Sequence, residues 1–232
     1  MRWTLQVAAS LTVVALVSGC QFTTPEGRAL KLRAYDSVVV ESVELAPEVT
    51  EEQIAPLVEG HTLVAVLESK KWKLAEDFDL EAFSKTIETY ATMPGTIDGK
   101  PVDPIMTREE FIKEHAKANE RRKALLDEPK GTQPIHLRIR VTELRFPSTL
   151  EGVTLGTQPR MRARVDVYAD GTLLGGGDME AVSGIPGVPL HPGSIVGRAA
   201  KAMIFDELKR ETILKLVDEL ADETVSALSR SK

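Results

Sequence analysis

Two stretches of strict two-residue alternation limit what this chain can become. Ile135, Leu137, Ile139 and Val141 are apolar and interleave with His136, Arg138, Arg140 and Thr142. Met161, Ala163, Val165 and Val167 interleave in the same way with Arg160, Arg162, Arg164 and Asp166. Successive side chains of a strand point to opposite faces, so each stretch offers one face to a core and one to water. Pro147, Gly152, Gly156 and Pro159 mark a loop between them, which predicts an antiparallel pair. Gly171 turns the chain into a third strand, Leu173 to about Val182, with a bulge at Gly175-Gly176-Gly177. No G-x-x-x-x-G-K-S/T pattern surrounds those glycines, which argues against a phosphate cradle.

The earlier chain adds helices and further strands. Tyr35 to Val43 is rich in valine and reads as a first strand closed by Pro47. Thr50 with Gln53 forms a capping box, and Ile54, Leu57, Val58, Val64 and Leu67 share the face of the helix that follows. Gly60 weakens that helix, and His61 lies near its apolar face. Lys71 to Ala75 is a short second strand with Trp72 and Leu74 on one side, so strand, helix and strand suit a β-α-β unit. Residues 76–130 read as a helical insertion: one helix with Phe78, Phe83, Ile87 and Tyr90, a Pro/Gly-marked loop, then a charged helix from Thr107 and Glu110 to about Leu126. After a stiff loop at 184–193, Ser194 opens a long helical pattern to about Arg230, with a break near Lys209–Thr212 as one way to fit it to the domain.

The fold class expected is α/β: a mixed, partly antiparallel sheet with helices packed on one face, a helical insertion and a long C-terminal helix. Residues 34–232 form one domain of that kind.

Five arginines fall on the polar side of the alternating strands: Arg138, Arg140, Arg160, Arg162 and Arg164. Like charges on adjacent strands repel, so the face needs counter-charges or an anionic partner. Glu143, Asp166, Asp178 and Glu180 can supply the first from adjacent positions. A planar guanidinium fork suits the second, whether an acidic protein surface, lipid phosphates or an anionic wall polymer. Both readings stay open on the sequence.

The amino terminus carries a different signal. Arg2 is followed by an uncharged stretch, Val7 to Val17, and by small Ser18-Gly19 before Cys20. That order of positive, apolar and small residues is the pattern of a secretory signal, and the stretch is well short of the roughly 20 residues a spanning helix needs. Cys20 is the only cysteine, so no intrachain disulfide can form.

Leu16-Val17-Ser18-Gly19-Cys20 resembles the lipobox of bacterial lipoproteins. The resemblance implies cleavage before Cys20, a diacylglyceryl group on its thiol, acylation with a fatty acid such as palmitate, and a place in the cell envelope facing the periplasm. A thiolate is the nucleophile a thioether bond needs. Gln21 stands where an Asp would suggest inner-membrane retention, which leans toward the outer membrane. Residues 20–33 then read as a tether, with Arg28, Lys31 and Arg33 able to favour an anionic surface. More loosely, the order of elements is similar to that of uncharacterised envelope lipoproteins whose domain resembles the amino-terminal domain of the Tol system's propeller protein and of activators of peptidoglycan synthases. That likeness rests on Tyr35 to Val40, the following helix, Ile135 to Leu144, Arg162 to Tyr168 and the last helix; it implies a protein partner but transfers no residue.

Composition closes off other classes. The chain has 29 Lys and Arg against 35 Asp and Glu, and loss of residues 1–19 removes Arg2 alone, leaving 28 against 35. Such an acidic balance argues against nucleic-acid binding. No G-x-S-x-G, H-E-x-x-H or S-x-x-K with K-T-G is present, and His61, His115, His136 and His191 lack metal-ligand spacing. The reading is a non-catalytic accessory or adaptor subunit of an envelope complex, without cofactor or metal. The alternatives are a binding module for an anionic envelope molecule and a hydrolase with an unrecognised site.

Overall fold

The computed structural model describes residues 21–51, 53–97, 100–147, 158–183 and 209–232. The leader, Cys20, the loop at 184–193 and residues 194–208 of the expected long helix lie outside them. The elements in chain order are β1 (Ser37–Leu45), α1 (Ile54–Glu68), β2 (Lys73–Leu74), α2 (Leu80–Thr92), β3 (Gly95–Ile97) and β4 (Lys100–Val102). Then come α3 (Arg108–Leu126), β5 (Pro134–Arg145), β6 (Arg160–Ala169), β7 (Thr172–Val182) and α4 (Lys209–Arg230).

The main sheet has the order β2-β1-β5-β6-β7. β1 pairs in parallel with β2 and β5, while β5-β6 and β6-β7 are antiparallel, so the sheet is mixed as expected. The alternation in β5 and β6 works as the residues dictate. Ile135, Leu137, Ile139, Val141, Met161, Ala163, Val165 and Val167 are all buried. On that face α1 packs on β1 and β2, α4 packs on β6 and β7, and the two helices pack on each other. Ile213, Leu216, Val217, Leu220, Ala221 and Leu228, at three- and four-residue spacing, form the buried stripe of α4. Asp170 and Gly171, with φ of 49° and 74°, make the two-residue turn between β6 and β7 that matches strand twist.

α1 departs from the single-face expectation. It is buried on most sides, because α2 and α3 pack on it opposite the sheet and α4 lies alongside. Its N-cap is Gln53, which makes no side-chain cap bond, so the expected capping box at Thr50 does not form. Gly60 has a packing reason: a methyl there would stand 2.0 Å from ring carbons of Phe83 on α2. The capping box of α3 does form, with Glu110 N–H donating to Thr107 Oγ1 at 3.3 Å and Thr107 N–H to Glu110 Oε2 at 2.9 Å. The region read as a loop before it contains the small antiparallel hairpin β3-β4, whose strands are too short for alternation to show.

Arg210, 5% exposed in the first turn of α4, joins the two helical layers. Its guanidinium donates to the carbonyls of Tyr90 and Met93 at the C-terminal end of α2 and lies 4.5 Å over the Tyr90 ring. A cation there answers the open carbonyls and the negative end of the helix dipole. Burial pushes the Tyr90 phenol up to about 12, with Arg210 opposing it.

The expected tether at 20–33 is corrected. Phe22 and Leu32 are 0% exposed and Leu30 is buried with them in the main core. Thr23 bridges both Ala29 and Gly176, and its N–H and carbonyl bond the Gly176 carbonyl and N–H at 3.0 and 2.9 Å. Residues 22–30 therefore fold back on themselves, and residues 21–24 lie along Gly175–Gly177 at the edge of β7. The glycine run makes this possible, because a Cβ at Gly175 would stand 2.2 Å from the Thr23 carbonyl oxygen. The irregularity lies one residue earlier than the glycines suggest: Val167 pairs with Gly175 and Tyr168 with Leu173, leaving Leu174 as the extra residue.

Candidate functional site

The arginine face is the sequence-derived candidate, and register assembles it. Across β5-β6, Arg138 stands opposite Asp166, Arg140 opposite Arg164, and Arg162 opposite Glu143. Across β6-β7, Arg162 stands opposite Glu180 and Arg164 opposite Asp178. All five candidate arginines thus occupy adjoining positions on the sheet face away from the helices.

The acids meet them there. Glu143 binds Arg160 at 2.8 Å and Arg162 at 3.4 Å, and Glu180 binds Arg162 at 3.0 Å. Arg164 lies 2.9 Å from Asp166 and 3.6 Å from Asp178. These are the four carboxylates the sequence offered. A fifth comes from the neighbouring strand: Glu41, the extra residue where β1 shifts register between Val40 and Ser42, takes Arg138 in a two-pronged bond of 2.8 and 3.1 Å. Arg138 also lies 4.4 Å over the Tyr168 ring. The Arg138 bonds hold the Glu41 carboxyl below the usual range, and those of Glu41 and Glu143 raise Arg138 and Arg160. Arg140 makes no ion pair among the described residues. Gly176 belongs to the same design, since a Cβ there would stand 2.5 Å from Asp166 Oδ1 and 3.0 Å from the Arg164 guanidinium. Four of the five forks are already occupied by protein carboxylates, and Arg140 stands opposite Arg164 without an ion pair among the described residues.

A second cluster lies between helices. His61 Nδ1 is 3.1 Å from Asp218 Oδ1, and the side chain is 14% exposed with its ring edge-on to Phe83. That bond holds the Asp218 carboxyl below its usual range. Burial, with Asp218 and Glu68 nearby, raises Asp222. A His–Asp pair suggests base catalysis, but the other ring nitrogen, Nε2, is buried with no hydrogen-bond partner. A general base has to reach the proton it takes, and this nitrogen faces the interior. The pair positions α1 against α4.

An open groove of about 360 Å³ runs between α1 and α2, lined by Pro56, Leu57, Ala82, Thr86 and Tyr90 among others. Lys85 and Tyr90 are the titratable side chains in it. Among the described residues no group of three or more His, Cys, Asp or Glu could hold a metal, and no helix is long and apolar enough to cross a membrane. Cys20, the predicted lipid attachment residue, lies outside the described residues. Compared with known protein families, with curated proteins and with solved structures, the chain matches none.

Proposed function

We propose that this chain is a lipid-anchored protein of the bacterial cell envelope, held through Cys20, that serves as a non-catalytic accessory or adaptor subunit of an envelope complex. The observation that carries the reading is the place where the folded body begins. Phe22 is already in the core, two residues after the cysteine of the lipobox-like stretch. A body fixed so closely to its anchor has little slack, so it presents the same surfaces at the same height above the bilayer. That suits docking to a neighbour in the envelope better than reaching into the periplasm. Four of the five arginines on that face are already paired with its own acids, which supports protein docking over capture of an anionic polymer there.

Intact-mass measurement of the protein purified from its own membrane tests the anchor. The expected result is a chain beginning at Cys20, heavier than its sequence by a diacylglyceryl group and an acyl chain, with Cys20→Ser retaining residues 1–19. One acyl chain holds only marginally and two or more give stable anchoring, so the Cys20→Ser chain should also lack the lipid-borne attachment. A membrane-purified protein with an unmodified Cys20 overturns the reading. Photo-crosslinkers on the arginine face and on α3 should then trap a discrete protein partner.

A further inference from the structure

The fold gathers a second group of cations that the sequence keeps apart. Leu32 N–H donates to the Ser231 carbonyl at 2.7 Å, which brings Lys31 and Arg33 beside the C-terminal end of α4. Lys71 Nζ donates to the Ser229 carbonyl at 3.2 Å, and Lys232 Nζ donates to the Lys71 carbonyl. The Lys232 ammonium lies 4.3 Å over the ring of Trp72, whose neighbours are Lys71 and Lys73. Segments 31–33, 70–73 and 229–232 are therefore stitched into one end of the molecule. That end carries Lys31, Arg33, Lys70, Lys71, Lys73 and Lys232, and all but the half-buried Lys232 are exposed.

Among the described residues none of these six makes an ion pair. Asp36, whose carboxyl the charge of Lys73 helps to lower, accepts from the backbone N–H groups of Thr132 and Gln133 and from the Ser37 hydroxyl. Glu223 is taken by Arg230 at 2.8 Å. In a chain with net charge −6, a cationic end without ion pairs among the described residues is a polarity that needs an account.

The second observation is where the chain enters. Thr23 bridges Ala29 antiparallel, and Leu30 N–H donates to the Phe22 carbonyl at 3.0 Å. Continued by one step, that register sets Gln21 opposite Lys31. The residue that follows Cys20 thus enters along β7, where its carbonyl lies against Gly177, next to the segment that carries Lys31.

We infer that this end is a docking surface for the anionic headgroups of phospholipids, and that it seats the domain on the bilayer to which Cys20 ties it. A lysine ammonium on a flexible stem is a mobile point charge, suited to a fluid and heterogeneous array of phosphates. Basic residues at an anionic membrane surface contribute about 1 kcal/mol each, or about fivefold in binding. The inference rests on the anchored reading for the nearness of a bilayer, but its test does not.

The test uses the full chain carrying Cys20→Ser, which cannot be lipidated, and sedimentation with vesicles of phosphatidylcholine alone or with about a third phosphatidylglycerol. Arg2 and the amino terminus of the leader add their own preference for anionic vesicles, so the loss in a variant of the lysine-rich end reads that end. The expected result is preference for the anionic vesicles that collapses by ~0.3 M salt, where screening is strong. Lys31→Glu, Arg33→Glu and Lys71→Glu together should weaken it about a hundredfold. Arg138→Glu, Arg162→Glu and Arg164→Glu together should leave it unchanged, with melting curves showing that both triple variants fold. Equal binding to the two vesicles, or no loss in the lysine-end variant, overturns the inference. So does binding to a soluble anionic polysaccharide without binding to vesicles. An unmodified Cys20 in the native protein defeats the anchor alone and leaves this result standing.

Discussion

The arginine face and the lysine-rich end are built from similar numbers of cations and reach opposite electrostatic states. On the face, Arg138, Arg160, Arg162 and Arg164 are met by Glu41, Glu143, Asp166, Asp178 and Glu180. At the end, six cations make no ion pair among the described residues. The difference follows from how each is assembled. Paired strands bring residues together in register, so acids written into the same strands arrive beside the arginines automatically. The lysine-rich end is made from three segments far apart in the chain, joined by backbone carbonyls and by Leu32. Carbonyl bonds can stitch segments without neutralising them. Concentrated charge within one sheet therefore signals a structural lattice, and the charge left over for a partner lies where distant segments meet.

The comparison breaks first if the lysine-rich end loses its stitching. Phe22→Ala removes a fully buried ring from the segment that bonds the backbone leading to Lys31 and Arg33. Phe→Ala in a core costs about 3–5 kcal/mol, and the lower part of that range is expected because the chain end can relax. Hydrogen exchange should rise across residues 21–33 and at Ser231, while the amides shared by β5 and β6 stay protected. Uniform loss of protection would mean that the two regions are one cooperative unit.

The second test converts one region into the other. Glu143→Gln, Asp178→Asn and Glu180→Gln together remove three counter-charges from the arginine face and free Arg160 and Arg162 from their ion pairs. At roughly fivefold per basic residue released, binding to anionic vesicles should rise by about one order of magnitude. Exposed ion pairs contribute little to folding, so the melting temperature should move only slightly. A variant that binds no better would show that the face is kept from anions by shape and not by its own acids.

Much of the fold was legible because its signals are local. The alternation around Ile135–Val141 and Met161–Val167, the capping box at Thr107 and the stripe of α4 are each written within a few residues, and each forms. The arginine face was legible for the same reason, up to Glu41, whose arrival depends on a bulge in β1 that no periodicity announces. What depends on distant packing was not. Residues 22–32 look like a linker because Thr23, Thr24, Pro25 and Gly27 mask the three apolar side chains that the core takes up. Gly60 reads as a weak point in a helix until Phe83 is placed against it. Gly175 is explained by the Thr23 carbonyl that lies on it, and Gly176 by Asp166 and Arg164 beside it. Of the lysine-rich end the sequence shows only Lys31 and Arg33, since Lys71 and Lys232 share no window with them.

The contrast between partnered and unpartnered charge recurs in miniature on the helical side, and there it gives the smallest effect. His61 from α1 faces Asp218, Asp222 lies one turn on along α4, Glu68 approaches from α1, and Arg122 of α3 binds Glu68 at 2.9 Å. Asp218 is lowered from its ordinary 3.8, first by the His61 bond. Its contribution to stability is therefore present above that value and lost as pH falls through the lower folded one. Asp222 is raised from 3.8, first by burial and then by Asp218 and Glu68. Ionising it costs stability at neutral pH, and that cost disappears once pH falls below 3.8. Asp218→Asn should therefore lower the melting temperature at pH 7, with the deficit shrinking below about pH 4. Asp222→Asn should raise it slightly at pH 7 and leave it unchanged near pH 3. If both substitutions move it the same way at pH 7, the two carboxylates share one environment, and the ion pair with His61 does not separate them.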